Sequence, residues 1–233
     1  MIDETNFETF VYISKNKYQI FVFDKKNLEN LYLEELNTYK YDFEDLSNFS
    51  KFLDKNIYKI EKLVGTFIKN IILIIENDNN LNVNISLKKK FYDNSVNQRY
   101  LESNLTEIKD LFLENYQNQT IMHMVVINYI INEKKYSKFK NDLLINNLGL
   151  EVNFIAISND LVFLIDKILE KYQVKISQYM CGNYIRNFFN DDRSEISLMA
   201  HKLRNGYNDN EVVLIPKNKV NKGFFEKFFQ LFS

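Results

Sequence analysis

Five consecutive apolar residues, Ile71-Ile-Leu-Ile-Ile75, constrain this chain more than any other stretch. The run is too short for a helix of ordinary length and shows no alternation with polar residues, so it reads as a strand covered on both faces. Such a strand needs a layer above it and a layer below, which points to an α/β arrangement. The preceding sequence fits. Phe10-Val-Tyr-Ile13 and Tyr18-Gln-Ile-Phe-Val-Phe23 are β-branched and aromatic runs on either side of the polar Ser14-Lys-Asn-Lys17, a hairpin pattern. A third strand is expected near Leu31 to Leu36. Leu46, Phe49, Leu53, Ile57, Ile60 and Val64 then recur at steps of three and four, which places them on one helical face. Asp45 or Ser47 is suited to cap its start, and Gly65 lies just past its end.

A second unit begins after the Asn-Asp-Asn-Asn turn at 77–80. Leu81, Val83, Ile85 and Leu87 alternate with polar residues, the mark of a half-buried strand. Leu101, Leu105, Ile108, Phe112 and Tyr116 form a helical stripe, and strands follow over Thr120–Ile131 and Leu150–Ile157. Ser158-Asn-Asp160 is placed to cap a helix carrying Leu161, Leu164, Ile165, Ile168, Leu169 and Tyr172, before a strand from Val174 to Tyr179. The order β-β-β-α-β, then β-α-β-β-α-β, predicts an α/β chain with two sheets and no internal repeat of 20–50 residues.

Composition narrows the chemistry. With 30 Lys+Arg against 31 Asp+Glu, the net charge of −1 offers no basic groove for nucleic acid. Two His and one Cys cannot build a His/Cys metal cluster, so neither a metal site nor a disulfide is expected. The N-terminal MIDETNFETF lacks a basic stretch followed by an apolar run, so no signal peptide is expected. No apolar stretch approaches the roughly 18 residues of a membrane span, and a cytosolic protein is expected. The 33 Asn beside only 2 Ala reduce the weight of any single Asn.

From Asn190 the sequence turns polar, and 190–221 reads as a linker. It leads to Lys222-Gly-Phe-Phe-Glu-Lys-Phe-Phe-Gln-Leu-Phe-Ser233. On a helix, Phe224, Phe225, Phe228, Phe229, Leu231 and Phe232 share one face, while Lys222, Glu226, Lys227 and Gln230 hold the other. From residue 217 on, four Lys oppose one Glu, a local charge of +3. Rings entering the acyl boundary and lysines facing anionic headgroups make this segment suited to the membrane interface, each Lys adding about 1 kcal/mol. An anchor so short holds weakly alone, so self-association is expected to accompany stable recruitment.

These elements, and several short stretches, resemble FtsA, the family of actin-like bacterial cell-division proteins that tether the division ring to the membrane. The resemblance spans about residues 10–189 and the extreme C-terminus. It is strongest over Ile121-Met-His-Met-Val-Val-Ile-Asn-Tyr-Ile-Ile-Asn132, with His123 and Tyr129 in the matching places, and continues in Leu150-Glu-Val-Asn153, Asn159-Asp160 and Gln173-Val-Lys-Ile-Ser177. It implies half of an actin-like (ribonuclease H-like) fold over 8–78, and an inserted β-α-β-β-α subdomain of the 1C, or SHS2-like, kind over 79–189. A linker over 190–221 and an amphipathic membrane-binding helix over 222–233 complete the expected organisation. Pilus-assembly proteins of the PilM type share the fold and are not expected to carry the tail.

The resemblance also exposes losses. Family members bind ATP through a first hairpin reading Asp-x-Gly-x-x-Lys and a second, glycine-rich hairpin. Glycine lets backbone N–H groups approach phosphate, and the Asp organises the Mg²⁺ shell. Here Tyr12 replaces the Asp and Ser14 the Gly, and only Lys17 survives. The five glycines (65, 149, 182, 206 and 223) lie too far apart to form the second loop. The expectation is a pseudo-ATPase with no cofactor and no catalytic residue. Subdomain 2B, which in the family receives the FtsZ tail, is missing, so FtsZ tethering does not carry over. What the resemblance leaves is contact with FtsA or later division proteins, on the cytoplasmic face of the inner membrane at mid-cell.

Other candidates have plainer readings. His123 lies in an apolar strand and reads as structural; Cys181 has no base beside it to favour a thiolate; Met122, Met124 and Met180 read as core fillers. Lys88-Lys-Lys90 reads as a solvated strand end, and Asp191-Asp192 with Glu195 lacks the glycine-punctuated spacing of a calcium loop. Two alternatives stand beside the division factor. One is a degenerate actin-like ATPase completed by a partner's residues. The other is a PilM-like or secretion-system adaptor that adds a membrane protein's cytoplasmic peptide to a sheet edge.

Overall fold

A computed structural model describes residues 6–38, 46–90, 98–140, 145–190 and 194–212. The expected tail helix at 222–233, the acidic pair Asp191-Asp192 and the cap candidate Asp45 lie outside the described residues. The chain divides into two compact units. The first holds the described residues up to Asn80 together with Ser158–Asn205; the second holds Leu81–Ile157 together with the described residues from Gly206 on.

In the first unit, β1 (Phe7–Ile13), β2 (Lys17–Asp24) and β3 (Glu29–Asn37) form an antiparallel meander. β4 (Asn70–Ile75) pairs parallel to β1, setting Phe10 beside Ile72 and Ile13 beside Ile75, and β9 (Lys175–Cys181) pairs parallel to β4. The sheet order is β3-β2-β1-β4-β9, with β2 alone running against the others. An antiparallel meander continued by two parallel crossovers is the arrangement of half an actin-like, ribonuclease H-like fold. The expected fold class is therefore present.

Both faces of this sheet are covered, as the Ile71–Ile75 run requires; all five of its residues are at most 4% exposed. On one face, α1 (Ser47–Val64) buries Phe49, Phe52, Leu53, Ile57, Ile60 and Val64, with the Tyr18 ring 5.4 Å from that of Phe49. The helix starts at Leu46 without a side-chain cap, so Ser47 does not serve as one. It ends at Gly65, whose φ of 77° is the left-handed conformation that glycine adopts freely and whose N–H donates to the Glu61 carbonyl. α3 (Asn159–Glu170) shares that layer and starts as expected, with Ser158 Oγ accepting from the Asp160 N–H. Just past its end, the Tyr172 hydroxyl donates to Asp54 Oδ1 on α1 at 2.7 Å. On the other face, α4 (Gly182–Phe188) and α5 (Ile196–Arg204) close over Phe10, Tyr12, Phe21, Phe23, Ile72 and Ile74.

The second unit is a four-stranded sheet of β5 (Leu81–Lys90), β8 (Asn147–Ser158), β6 (Gln119–Ile131) and β7 (Lys134–Tyr136), in that order. Leu101, Leu105, Ile108 and Phe112 of α2 (Gln98–Asn115) pack onto it, and the Phe112 and Phe154 rings stack at 4.6 Å. Along β5 the opposite face is polar: Asn153 donates to Asn84 at 2.7 Å, and Glu151 accepts from Asn128 and Lys135, while Ile155 and Ile157 farther along the same row of β8 are buried. That one-sided burial explains the strict alternation along β5.

Two expected boundaries are corrected. The inserted unit, expected over 79–189, ends at Ile157, because α3 packs in the first unit and β9 extends the first sheet beside β4. A parallel strand can join only after a crossover, and the whole inserted unit with α3 forms that crossover. The linker expected over 190–221 is folded through 194–212. Ile196, Met199, Ala200 and Leu203 of α5 enter the first core, and Val212, 4% exposed, enters the second. Val212 N–H donates to the Met124 carbonyl and Val126 N–H to the Asn210 carbonyl, so this segment extends the sheet along β6.

Candidate functional site

The β1–β2 hairpin, where the resemblance places a phosphate loop, is closed by its own side chains. Ser14 N–H donates to the Lys17 carbonyl at 3.0 Å, and Ser14 Oγ donates to Asn16 Oδ1 at 2.9 Å. Ser14 is 2% exposed, so the position that glycine would keep open is filled. Tyr12, in the place of the metal-organising Asp, is 1% exposed, and its hydroxyl donates to Glu76 Oε2 at 2.5 Å. Burial first, and the bond to Glu76 second, push the Tyr12 phenol above its ordinary value, so at neutral pH it is a neutral donor.

Glu76 follows directly on β4 and holds a second partner: Arg186 Nε, from α4, donates to the same Oε2 at 3.0 Å. The guanidinium carbon lies 5.7 Å from the Tyr12 ring centroid and Lys17 Nζ 5.9 Å from it, so two cations flank one aromatic ring. Lys15 pairs with Asp78, and Lys17 Nζ is 3.4 Å from Glu35. Three cations thus face three carboxylates, leaving no excess positive charge for a phosphate. Gly182 opens α4 against this cluster. A Cβ there would stand 3.0 Å from the Glu76 Cβ and 3.3 Å from the Tyr12 ring, so the absence of a side chain lets Tyr12, Glu76 and Arg186 come together.

Of the three hairpin residues singled out in the sequence, Tyr12 and Ser14 are buried and Lys17 is paired away. Glu76 and Arg186 carried no local signal beyond a carboxylate directly after an apolar run. His123 is a core residue, 1% exposed, with Nδ1 2.6 Å from Glu211 Oε1, which ties the 208–212 segment to β6. Cys181 is buried, which pushes its thiol up, against any thiolate role. Met122, Met124 and Met180 are core residues. Lys88 and Lys89 pair with Glu133 and Glu107, and Glu195 accepts from Asn30. Among the described residues, no group of three or more His, Cys, Asp or Glu side chains is placed to hold a metal ion. Among them, no helix is long and apolar enough to cross a membrane. The membrane-binding candidates Lys222, Phe224, Phe225, Lys227, Phe228, Phe229, Leu231 and Phe232 lie outside the described residues.

No family model matches this sequence, and no curated protein matches it. Solved structures similar to it include the cytoplasmic domain of EpsL, an inner membrane component of the type II secretion system of Vibrio cholerae. That match has 8% identity and a TM-score of 0.31, over 77% of this chain and 57% of the other. A second is the PilM–PilN type IV pilus biogenesis complex, at 9% identity and a TM-score of 0.47, over 78% of this chain and 49% of the other. A third is a Bacteroides thetaiotaomicron protein of unknown function with an actin-like ATPase fold, at 14% identity and a TM-score of 0.31, over 83% of this chain and 60% of the other. The chain thus spans between 49% and 60% of the length of these three.

Proposed function

We propose that this chain is a non-catalytic adaptor that works at a membrane surface, using its folded units to bind other proteins and its phenylalanine-rich end to hold lipid. The observation that carries the non-catalytic reading is the cluster of buried Tyr12 with the more exposed Glu76 and Arg186, which fills the expected phosphate position with the protein's own side chains. Isothermal titration with ATP is expected to give no binding heat through the millimolar range. A micromolar affinity would overturn this reading and revive that of an ATPase completed by a partner.

The preferred partner is an extended peptide from an inner-membrane assembly, the class that an adaptor of the pilus or secretion kind serves. Support comes from β3, a terminal strand of its sheet that presents Leu31, Leu33 and Leu36 at 37%, 44% and 37% exposure. Among the described residues no strand pairs with the outer edge of β3, and such an edge flanked by exposed leucines is what a peptide adding as a strand requires. The division-factor reading comes second, favoured by the Ile121–Asn132 resemblance. A fluorescent fusion marking the envelope evenly is expected under the first reading, and a mid-cell band under the second.

The membrane part has its own test. Val212 is docked in the second core, and Phe224 is 12 residues further on, so the chain reaches about 40 Å at most between them. Full-length protein is expected to pellet with anionic vesicles, and a 1–220 truncation to stay in the supernatant. Equal pelleting of both removes the lipid assignment.

A further inference from the structure

β5 is a sheet edge whose lysines are confined to one end, Lys88 to Lys90. Its ten residues pair with β8 in unbroken register, from Leu81 beside Ala156 to Lys90 beside Asn147. No proline or bulge interrupts it, and among the described residues no strand lies on its other side. Lysines often guard such an edge. Here Lys88 Nζ lies 3.2 Å from Glu133 and Lys89 pairs with Glu107, so both charges are answered within their own unit. Leu81, Ile85 and Leu87 continue the row that packs under α2, while Asn82, Asn84 and Ser86 form the exposed row.

We infer that a second copy of this chain pairs its own β5 antiparallel to this edge, about a two-fold axis through Ile85. Residues opposite one another in an antiparallel pair lie on the same face of the sheet. A two-fold axis perpendicular to the sheet must therefore pass through a residue. Axes through Ile85 and Ser86 each pair nine of the ten residues. Through Ile85, Ile85 meets itself, Val83 meets Leu87, Asn84 meets Ser86, Asn82 meets Lys88 and Leu81 meets Lys89. The apolar row runs through the join and no lysine faces a lysine. Through Ser86, by contrast, Val83 faces Lys89 and the apolar matching shrinks.

The product is one continuous eight-stranded sheet, twice the four strands of a single unit. Being isologous, the contact closes at two copies. The dimer rests on the edge alone. Only its benefit, two weak anchors acting on one membrane, depends on the proposed function.

Analytical ultracentrifugation of the full chain tests it. Wild type is expected to show a concentration-dependent monomer–dimer equilibrium. Asn84→Lys with Ser86→Lys sets lysine against lysine twice across the join and is expected to weaken it roughly ten-fold. Asn84→Lys with Ser86→Glu sets Lys against Glu in the same register and is expected to restore or tighten it. Both positions are exposed, and circular dichroism checks that each variant folds. A wild type monomeric at every concentration, as when the edge serves a different protein's strand, overturns the inference. So does a dimer indifferent to the double-lysine change, or one that the Lys/Glu pair fails to restore.

Discussion

Tyr12→Ala is expected to lower the unfolding free energy by about 3–5 kcal/mol, read from the urea midpoint at constant slope. Two losses combine. The ring is one of the largest fully buried side chains in the first core, and its hydroxyl is one of two described partners of a single Glu76 oxygen. Tyr12→Phe keeps the ring and removes only the donor, and is expected to cost about 1.5–3 kcal/mol, the range for a hydrogen bond to a charged group. Total stability for a chain of this kind is about 5–15 kcal/mol, so the alanine variant sits near the edge of folding. Neither variant is expected to gain ATP binding, because Ser14 still fills the turn and Arg186 still neutralises Glu76. An alanine variant as stable as wild type would show that the cluster holds nothing in place.

The second large effect is alkaline. Tyr12 is raised by burial and then by its bond to Glu76; Tyr129 is raised by burial and then by the charge of Asp209. In the unfolded chain both titrate near 10. Their contribution is fully present below that value and is lost as pH rises from there toward the folded-state values, because the unfolded chain then binds fewer protons than the folded one. Each buried phenol is expected to remove about 1.4 kcal/mol per pH unit in that window. The two losses add while the pH stays below both folded-state values, so the fold weakens progressively on the alkaline side, and total stability of this size leaves little margin for it. Urea midpoints between pH 9 and 12 measure the slope, and Tyr12→Phe should flatten it by one phenol's share. A flat profile across that range would mean that these hydroxyls ionise as freely when folded as when unfolded.

Much of the fold was legible because its signals are local. The Ile71–Ile75 run announced a two-faced strand, the alternation of Leu81 to Leu87 a one-faced strand, and Ser158 a helix start. Membership was not legible. The strand at 175–181 follows the inserted unit in sequence, and only the vacant side of β4 recruits it into the first sheet. α5 was hidden for a different reason. Ile196, Met199, Ala200 and Leu203 have helical spacing, but they sit between stretches so rich in Asn and Asp that the window averages to a linker. At the site, Tyr12 and Ser14 declared the loss of a phosphate loop, whereas Glu76 and Arg186, 110 residues apart, form a pair that only the tertiary structure reveals.

The placement of β9 also has a consequence for the order of assembly. β4 ends at Ile75 and its neighbour begins at Lys175, so one side of the first sheet stays open until the entire insertion has been traversed. Contacts spanning so much chain are slow to form, because the ends of a long loop must meet before any contact rewards them. The inserted unit closes late too, since Val212 reaches back to Met124. During that interval the apolar side of β4 is bare and exposed to mispairing, so the nascent protein should depend on chaperones more than its size alone suggests.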